Sequence, residues 1–208
     1  MSVSLKNVTA IYKGSKEAAI KEISLSIKEG EFVVILGRTG AGKSTLLRVL
    51  NGLFPKYFKG RLYGEVIVDG LNVREHDIPE LAQHIGLVLA DPSLQIVSVT
   101  VEEDVAFGPA NLGLPLHEIE NRVSFALEAT RLKGYEKRLP YTLSGGEQQC
   151  LAIASILAMR PKIIAMDEPL SMLDPIGKNR VLSVIKSLNN EYGVTICLLY
   201  TSDAADDG

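Results

Sequence analysis

Three stretches of this sequence combine residue types and spacings that do chemistry on phosphates. The first is GRTGAGKST, which fits the pattern G-x-x-x-x-G-K-S/T with Gly37, Gly42, Lys43 and Ser44 at the fixed positions. Glycines let backbone N–H groups curl round phosphate oxygens, the lysine brings a point charge to the β- and γ-phosphates, and the serine hydroxyl can ligate Mg²⁺. Gly37, Arg38, Thr39, Gly40, Ala41, Gly42, Lys43, Ser44 and Thr45 are therefore a candidate nucleotide-binding run. The second stretch is LSGGEQQ, where Ser144 and Glu147 have the spacing of a helix capping box. Capping does not explain Gly145 and Gly146, since two glycines in a first turn cost roughly 1 kcal/mol each relative to alanine. A second anion-facing helix N-terminus would explain them, and on spacing alone the two readings stand level. The third stretch is KIIAMDEP, a buried strand ending in Asp167 and Glu168.

The elements around these stretches must aim them at one point. Phe32 to Leu36 is a short apolar run that reads as a strand buried on both faces, and Ser44 to Leu50 reads as a helix stopped by Asn51 and Gly52. Strand, glycine loop and helix in that order converge on a phosphate. In a parallel sheet the ligand crevice lies at the carboxyl ends of the strands. Asp167 is thereby set to hold Mg²⁺, directly or through water, and Glu168 to polarise an attacking water. Residues 3–12 and 23–27 alternate as half-buried antiparallel strands, and GEVIVDG is a third that closes on an Asp-Gly turn, giving a small β-layer beside the core. From position alone Tyr12 reads as an ordinary strand tyrosine, although its ring could stack on a base.

IGLVL, residues 85–89, is a further core strand, stopped by Ala90-Asp91-Pro92. Beyond it Thr100 is an N-cap candidate ahead of Glu102, Glu103 and Asp104, residues 117–132 have helical spacing, and no strand-like run occurs between about 100 and 140. A helical lobe over about 93–160, inserted in an α/β core, follows. His76, His84 and His117 have no partner at metal-ligand spacing and read as surface or structural residues.

A chain of 208 residues with 46% hydrophobic composition can bury one substantial core. A net charge of −3 without basic runs gives no support to nucleic-acid binding. Cys150 and Cys197 stand far apart, which suits a reducing cytosol, and neither a signal-peptide core nor an apolar stretch of about 18 residues is present, so a soluble cytoplasmic chain is expected. Any membrane role then needs partner chains.

In order and spacing, the phosphate loop, LSGGEQQ, IIAMDEP and the following Ser171-Met172-Leu173-Asp174 resemble the nucleotide-binding subunit of ABC transporters, over residues 1–196. The resemblance implies a phosphate-loop NTPase fold of the RecA-like α/β class, with a mainly parallel sheet, an antiparallel β-subdomain and the inserted helical lobe. It implies ATP and Mg²⁺ as cofactors, and two subunits paired head to tail. Ser144, Gly145, Gly146 and Glu147 of each would face the γ-phosphate on the other, which accounts for glycines that a lone subunit does not need. It assigns Glu168 as the catalytic glutamate, Asp174 as the aspartate of the D-loop and Tyr12 as the residue that stacks on the base. NGLFPKYFKGRLYGEVIVDG and TVEEDVAFGPANLGLP are similar to the ATPase subunits of energy-coupling factor importers. That similarity implies a membrane scaffold subunit docked on the lobe, a separate substrate-capturing protein, and a place at the cytoplasmic face of the membrane. The alternatives are a soluble ABC-type ATPase acting on nucleic acid or ribosomes, and a subunit that binds ATP without hydrolysing it. Against the former stand the missing basic face, second phosphate loop and coiled-coil insertion.

Two departures qualify the resemblance. Ala90 stands where the family has a glutamine, and alanine can neither ligate Mg²⁺ nor hydrogen-bond the attacking water, so weakened hydrolysis is expected with ATP binding kept. From residue 197 the chain reads CLLYTSDAADDG, where the family would finish a strand and present a switch histidine near 201. Residues 197–208 resemble a translated sequencing adapter, which implies a missing native C-terminus, although Cys197-Leu198-Leu199-Tyr200 is apolar enough to extend the strand.

Overall fold

The computed structural model describes residues 2–201. They form two compact units, one of residues 2–87, 162–167 and 194–201, the other of residues 88–161 and 168–193. The aspartates of the tail, at 203, 206 and 207, lie outside the described residues.

The first unit holds the strands. β1 (Val3–Tyr12), β2 (Ile20–Ile27), β4 (Gly60–Val68) and β5 (Leu71–Asn72) make an antiparallel sheet in the order β2-β1-β4-β5. The expected third strand is thus longer at its start than GEVIVDG, and it ends at the Asp69–Gly70 turn. A second sheet has the order β3-β8-β7-β6, from β3 (Phe32–Gly37), β8 (Thr195–Thr201), β7 (Ile163–Asp167) and β6 (Ile85–Val88). β8 runs parallel to both β3 and β7. Helix α1 (Lys43–Leu50) follows β3, and two single turns, α2 (Leu53–Lys56) and α3 (Ile78–Leu81), complete the unit. One core joins the two sheets and α1: Leu5, Val66, Leu47, Leu50, Ile163 and Leu199 are all buried in it. Cys197 and Leu198 are buried in β8, so the apolar run does extend the strand as its composition predicts.

One expectation fails here. β3 is not buried on both faces: Phe32, Val34 and Leu36 are exposed, the last by 64%, while Val33 and Ile35 are half-buried. The reason is what packs on each face. Besides lying at the sheet's edge, β3 has one face left exposed among the described residues, and its period-two alternation sends Phe32, Val34 and Leu36 to that face and Val33 and Ile35 to the other.

The second unit is helical. α4 (Val101–Asn111) starts at a capping box in which Thr100 Oγ1 accepts from the Glu103 N–H at 3.4 Å and Glu103 Oε2 accepts from the Thr100 N–H at 3.1 Å. α5 (Leu116–Ala129) buries Ala126, Leu127 and Ala129. α6 (Gly145–Leu157) is the most buried, and α7 (Pro175–Asn190) follows β7 through residues 168–174. Phe125 of α5 meets Tyr192 edge to face at 5.3 Å. The absence of strands between 100 and 140 is as expected.

Candidate active site

In the first unit the glycine loop leaves the end of β3 and turns into α1. Gly42, at the N-cap of α1, has φ +88°, and a Cβ there would lie 2.2 Å from the Ala19 carbonyl oxygen, so only glycine fits. Lys43 is buried and its ammonium donates to the carbonyls of Gly37 at 2.8 Å and Arg38 at 2.9 Å, closing over the loop. The Ala41 N–H donates to the Arg38 carbonyl at 3.1 Å, while Arg38, Thr39, Gly40 and Ala41 are exposed and Ser44 is half-buried. The N–H groups of the first turn and the dipole of α1 give this loop end the electrostatics that suit an anion.

Gly37 is in register with Thr201 of β8, and Asp167 with Leu199 of the same strand. The loop and Asp167 therefore leave the carboxyl ends of parallel strands one strand apart, about 10 Å between strand axes at the usual sheet spacing. No group of three or more His, Cys, Asp or Glu among the described residues gathers as a metal cage. Mg²⁺ does not require one beside a nucleotide, because it keeps several waters and takes one or two protein oxygens besides the phosphates. The Ser44 hydroxyl and Asp167 carboxylate fit that demand.

Tyr12 sits near the loop through its hydroxyl, 3.2 Å from Thr45 Oγ1, and that hydroxyl accepts from Arg48 Nη1 at 3.0 Å. Its ring meets Phe54 edge to face at 5.0 Å, and the Arg48 guanidinium lies 4.4 Å over Phe58. Of these partners the sequence reading had singled out only Thr45. His84 is structural, as expected: Nδ1 lies 2.6 Å from Asp69 Oδ2. The hydrogen bonds to His84 and Lys162 lower the Asp69 pKa against the opposing effect of burial.

The second unit carries Ser144–Glu147, Glu168, Asp174 and Ala90. The capping box forms as predicted: Ser144 Oγ accepts from the Glu147 N–H at 3.4 Å and Glu147 Oε2 accepts from the Ser144 N–H at 2.9 Å. Glu147 is held further than capping requires. Its Oε1 accepts from Arg180 Nη1 at 2.7 Å and from the Tyr135 hydroxyl at 3.1 Å. Burial acts to raise the Glu147 pKa, yet these donors and the Ser144 backbone and hydroxyl outweigh it and bring it down to about 2.

The two glycines of the motif separate. Gly146 is buried against α7, where a Cβ would lie 2.7 Å from Gly177 Cα. A lone subunit does need Gly146, for the close approach of two helices, so the expectation that neither glycine has an intrachain use is corrected. Gly145 is different: it is exposed, and a Cβ would meet only Leu173 Cδ2 at 3.4 Å. Asp174 caps α7, its Oδ1 accepting from the Gly177 N–H at 2.8 Å. Glu168 follows directly on Asp167 and has φ +49°, a conformation that costs a non-glycine residue of order 1 kcal/mol or more and concentrates at functional sites. Its carbonyl accepts from the Ser171 N–H at 3.1 Å and the Ser171 hydroxyl at 2.9 Å, which anchors the turn.

Gln95 does not replace the glutamine missing at position 90. Its Oε1 accepts from the Leu89 N–H at 2.7 Å, folding the side chain back on its own loop. Burial pushes the thiol of Cys150 up to about 12 and that of Cys197 up to about 11, so neither is a thiolate at neutral pH.

Residues 20–171 match the family model described as ABC transporter. EcfA1 of Clostridium perfringens, named as an energy-coupling factor transporter ATP-binding protein, is 45% identical over 194 residues, covering 92% of this chain and 67% of the relative. Among solved structures, CbiO1 from Clostridium perfringens, part of the ABC transporter complex CbiONQ, superposes with a TM-score of 0.86 at 33% identity, over 96% of this chain and 78% of that one. A dimeric ATP-binding cassette in a post-hydrolysis state, bound to ADP and Pi, superposes with a TM-score of 0.78 at 35% identity, over 97% of this chain and 88% of the other.

Proposed function

Since this chain belongs to the ABC transporter family of ATP-binding proteins, we propose that it is the ATP-hydrolysing motor of an importer of the energy-coupling factor type. The observation that carries the reading is the shared edge of one parallel sheet, where the loop closed by Lys43 and the carboxylate of Asp167 emerge one strand apart. Gly37 to Thr45 bind the phosphates and Tyr12 stacks on the base. Ser44 and Asp167 hold Mg²⁺, which when bound neutralises charge building on the β- and γ-oxygens. Glu168 orients the attacking water and accepts its proton.

A second subunit completes each site, presenting Ser144 to Glu147 to the γ-phosphate and Asp174 beside it. The Glu147 carboxylate is engaged by its cap and Arg180, and the Ser144 hydroxyl donates to it at 3.0 Å, so what the segment offers is the N–H groups of the first turn rather than a negative charge. Gly145 is exposed, and a Cβ there would meet only Leu173 Cδ2 at 3.4 Å, so the glycine keeps the approach to those groups open. The lobe supports a membrane partner: a groove of about 380 Å³ is lined by Ile96, Val99, Pro140 and Tyr141, beside exposed Val97 and Leu94. None of the helices among the described residues is long and apolar enough to cross a membrane. In this reading a helix of the membrane scaffold docks in that groove, which couples the motor to transport and holds it at the cytoplasmic face.

Binding of a fluorescent ATP analogue with and without Lys43→Ala tests the site. Loss of binding in the variant is expected, and equal binding would sink the reading. A binding-only subunit is the second reading, favoured by Ala90 and by the engagement of Gln95 with Leu89. Phosphate release from labelled ATP by the assembled complex separates the two, with zero turnover at full occupancy deciding for the second.

A further inference from the structure

We infer that Gln95 and Gln149 form a clamp on the Leu89 peptide that makes the signature helix α6 and residues 89–98 move as one piece, and that both are positioning residues for position 90. The inference rests on reading the chain as an ABC ATPase. Leu89 is the first residue beyond β6, and both of its backbone groups are taken by side-chain amides. Its N–H donates to Gln95 Oε1 at 2.7 Å, and its carbonyl accepts from Gln149 Nε2 at 2.9 Å. Gln149 comes from α6, two residues after Glu147 of the capping box, so the peptide before Ala90 is tied directly to the helix that carries LSGGE.

Gln149 is held there at a cost. It is 0% exposed, and its Oε1 has no protein partner among the described residues. A buried carbonyl oxygen left unsatisfied is destabilising, and it is kept here together with the bond that the Nε2 of the same amide makes to Leu89. The one hydrogen bond this amide makes among the described residues is its grip on the Leu89 carbonyl, which an apolar side chain would leave without that partner.

The far end of the same segment is tied to the same helix. Ser155 Oγ of α6 donates to Asp104 Oδ2 at 2.8 Å, and Asp104, 3% exposed, accepts through Oδ1 from the N–H groups of Val97 at 2.8 Å and Ser98 at 3.1 Å. Between the two ties lies a single 3₁₀ turn, Pro92–Leu94, whose start is capped by Asp91 Oδ1 accepting from the Ser93 N–H at 2.9 Å. A segment fastened at both ends to one helix and stiffened in the middle has no slack joint. A displacement at the N-terminus of α6 then arrives at residue 90 through hydrogen bonds to the main chain, independent of the side chain at 90. Such a contiguous network is a physical route for coupling, and coupling is what must be measured.

Hydrogen exchange on the full chain tests this in wild type, Gln95→Glu, Gln95→Leu and Gln149→Met, each with and without Mg²⁺ and a non-hydrolysable ATP analogue. A carboxylate accepts as an amide oxygen does, so Gln95→Glu is expected to keep the Leu89 amide protected. Gln95→Leu is expected to speed its exchange about 5-fold, the effect of one ordinary hydrogen bond. With nucleotide, protection is expected to change in both 144–150 and 89–98 in wild type and Gln95→Glu. In Gln149→Met and Gln95→Leu it should change in 144–150 alone. Unaltered Leu89 exchange in Gln95→Leu, or linked responses in Gln149→Met, would overturn the clamp. Wild type that fails to bind the analogue would overturn the ATPase reading and the positioning role with it, whereas binding with unlinked responses overturns the clamp by itself.

Discussion

Arg180→Met removes the guanidinium that donates to Glu147 Oε1 at 2.7 Å, and the cost can be worked from the pair's surroundings. The Glu147 side chain is 14% exposed and that of Arg180 30%, so the pair lies between the surface and interior limits. Exposed pairs contribute about 0–1 kcal/mol, and removing one partner of a fully buried pair costs about 3–5 kcal/mol. Linkage sets a ceiling: lowering Glu147 from 4.5 to about 2 corresponds to about 3 kcal/mol at 1.36 kcal/mol per unit. Arg180 shares that shift with the Ser144 N–H, the Ser144 hydroxyl and the Tyr135 hydroxyl, so a loss of about 1–2 kcal/mol at pH 7 is expected. The sign follows from the folded pKa lying below the unfolded one. The contribution is complete above the unfolded value near 4.5 and drains away as pH falls towards about 2. Urea unfolding of wild type and Arg180→Met at pH 7, 5, 4 and 3 measures it, because every other titrating group cancels in the difference. The gap should be constant from pH 7 to 5 and shrink towards pH 3, because the Ser144 and Tyr135 donors still hold Glu147 below its ordinary value in the variant and the two chains part only below that point. A gap that ignores pH, or one that is absent at pH 7, refutes the assignment of the shift to this contact.

The glycines of the signature should respond differently. Gly146→Ala pushes a Cβ to 2.7 Å from Gly177 Cα and is expected to cost about 1–3 kcal/mol of stability by overpacking, read as a lowered melting temperature. Gly145→Ala should leave the monomer as stable or raise its stability by up to about 1 kcal/mol through helix propensity, while impairing the ATP-dependent dimer seen by light scattering. Glu168→Gln is expected to keep nucleotide binding and lower phosphate release by about 10²–10⁴-fold, the range for losing a general base; release at the wild-type rate would remove Glu168 from that role. Ala90→Gln should raise the turnover of the assembled transporter, and unchanged turnover would show that position 90 does not limit hydrolysis.

What could be read in the sequence was the chemistry whose partners lie close along the chain. The loop Gly37 to Thr45 with its strand and helix, the N-cap at Thr100, the box at Ser144 and the acidic end of β7 all rest on residues close along the chain. What could not be read depends on which elements become neighbours. Arg180 lies 33 residues from Glu147, and Gln149 lies 60 from Leu89. Nothing in the residues around Arg180 marks it as the partner of a cap. Gln149 stood inside a quoted motif, yet its use is visible only when the carbonyl of Leu89 is seen beside it. β3 shows the same limit: five consecutive apolar residues describe a strand, while what packs on each face of the sheet decides that Leu36 is exposed.

The two-glycine step shows how a motif can hold two causes at once. Counted as a pair, Gly145 and Gly146 looked like a single demand for open N–H groups. The structure divides them, one glycine for the approach of α7 and one exposed, where an added Cβ would meet only Leu173 Cδ2 at 3.4 Å. The proposed intermolecular role therefore rests on Gly145 and on the N–H groups of the first turn, a smaller set than the motif suggests, since the Ser144 hydroxyl donates to Glu147 at 3.0 Å. It is also a rigid set, since Glu147 ties the cap to Arg180 of α7 and Gln149 ties the same helix to Leu89. A γ-phosphate arriving from a second subunit would thus meet N–H donors already fixed in direction. Fixed donors need little reorganisation when charge appears before them, which is the condition under which electrostatic stabilisation is strongest.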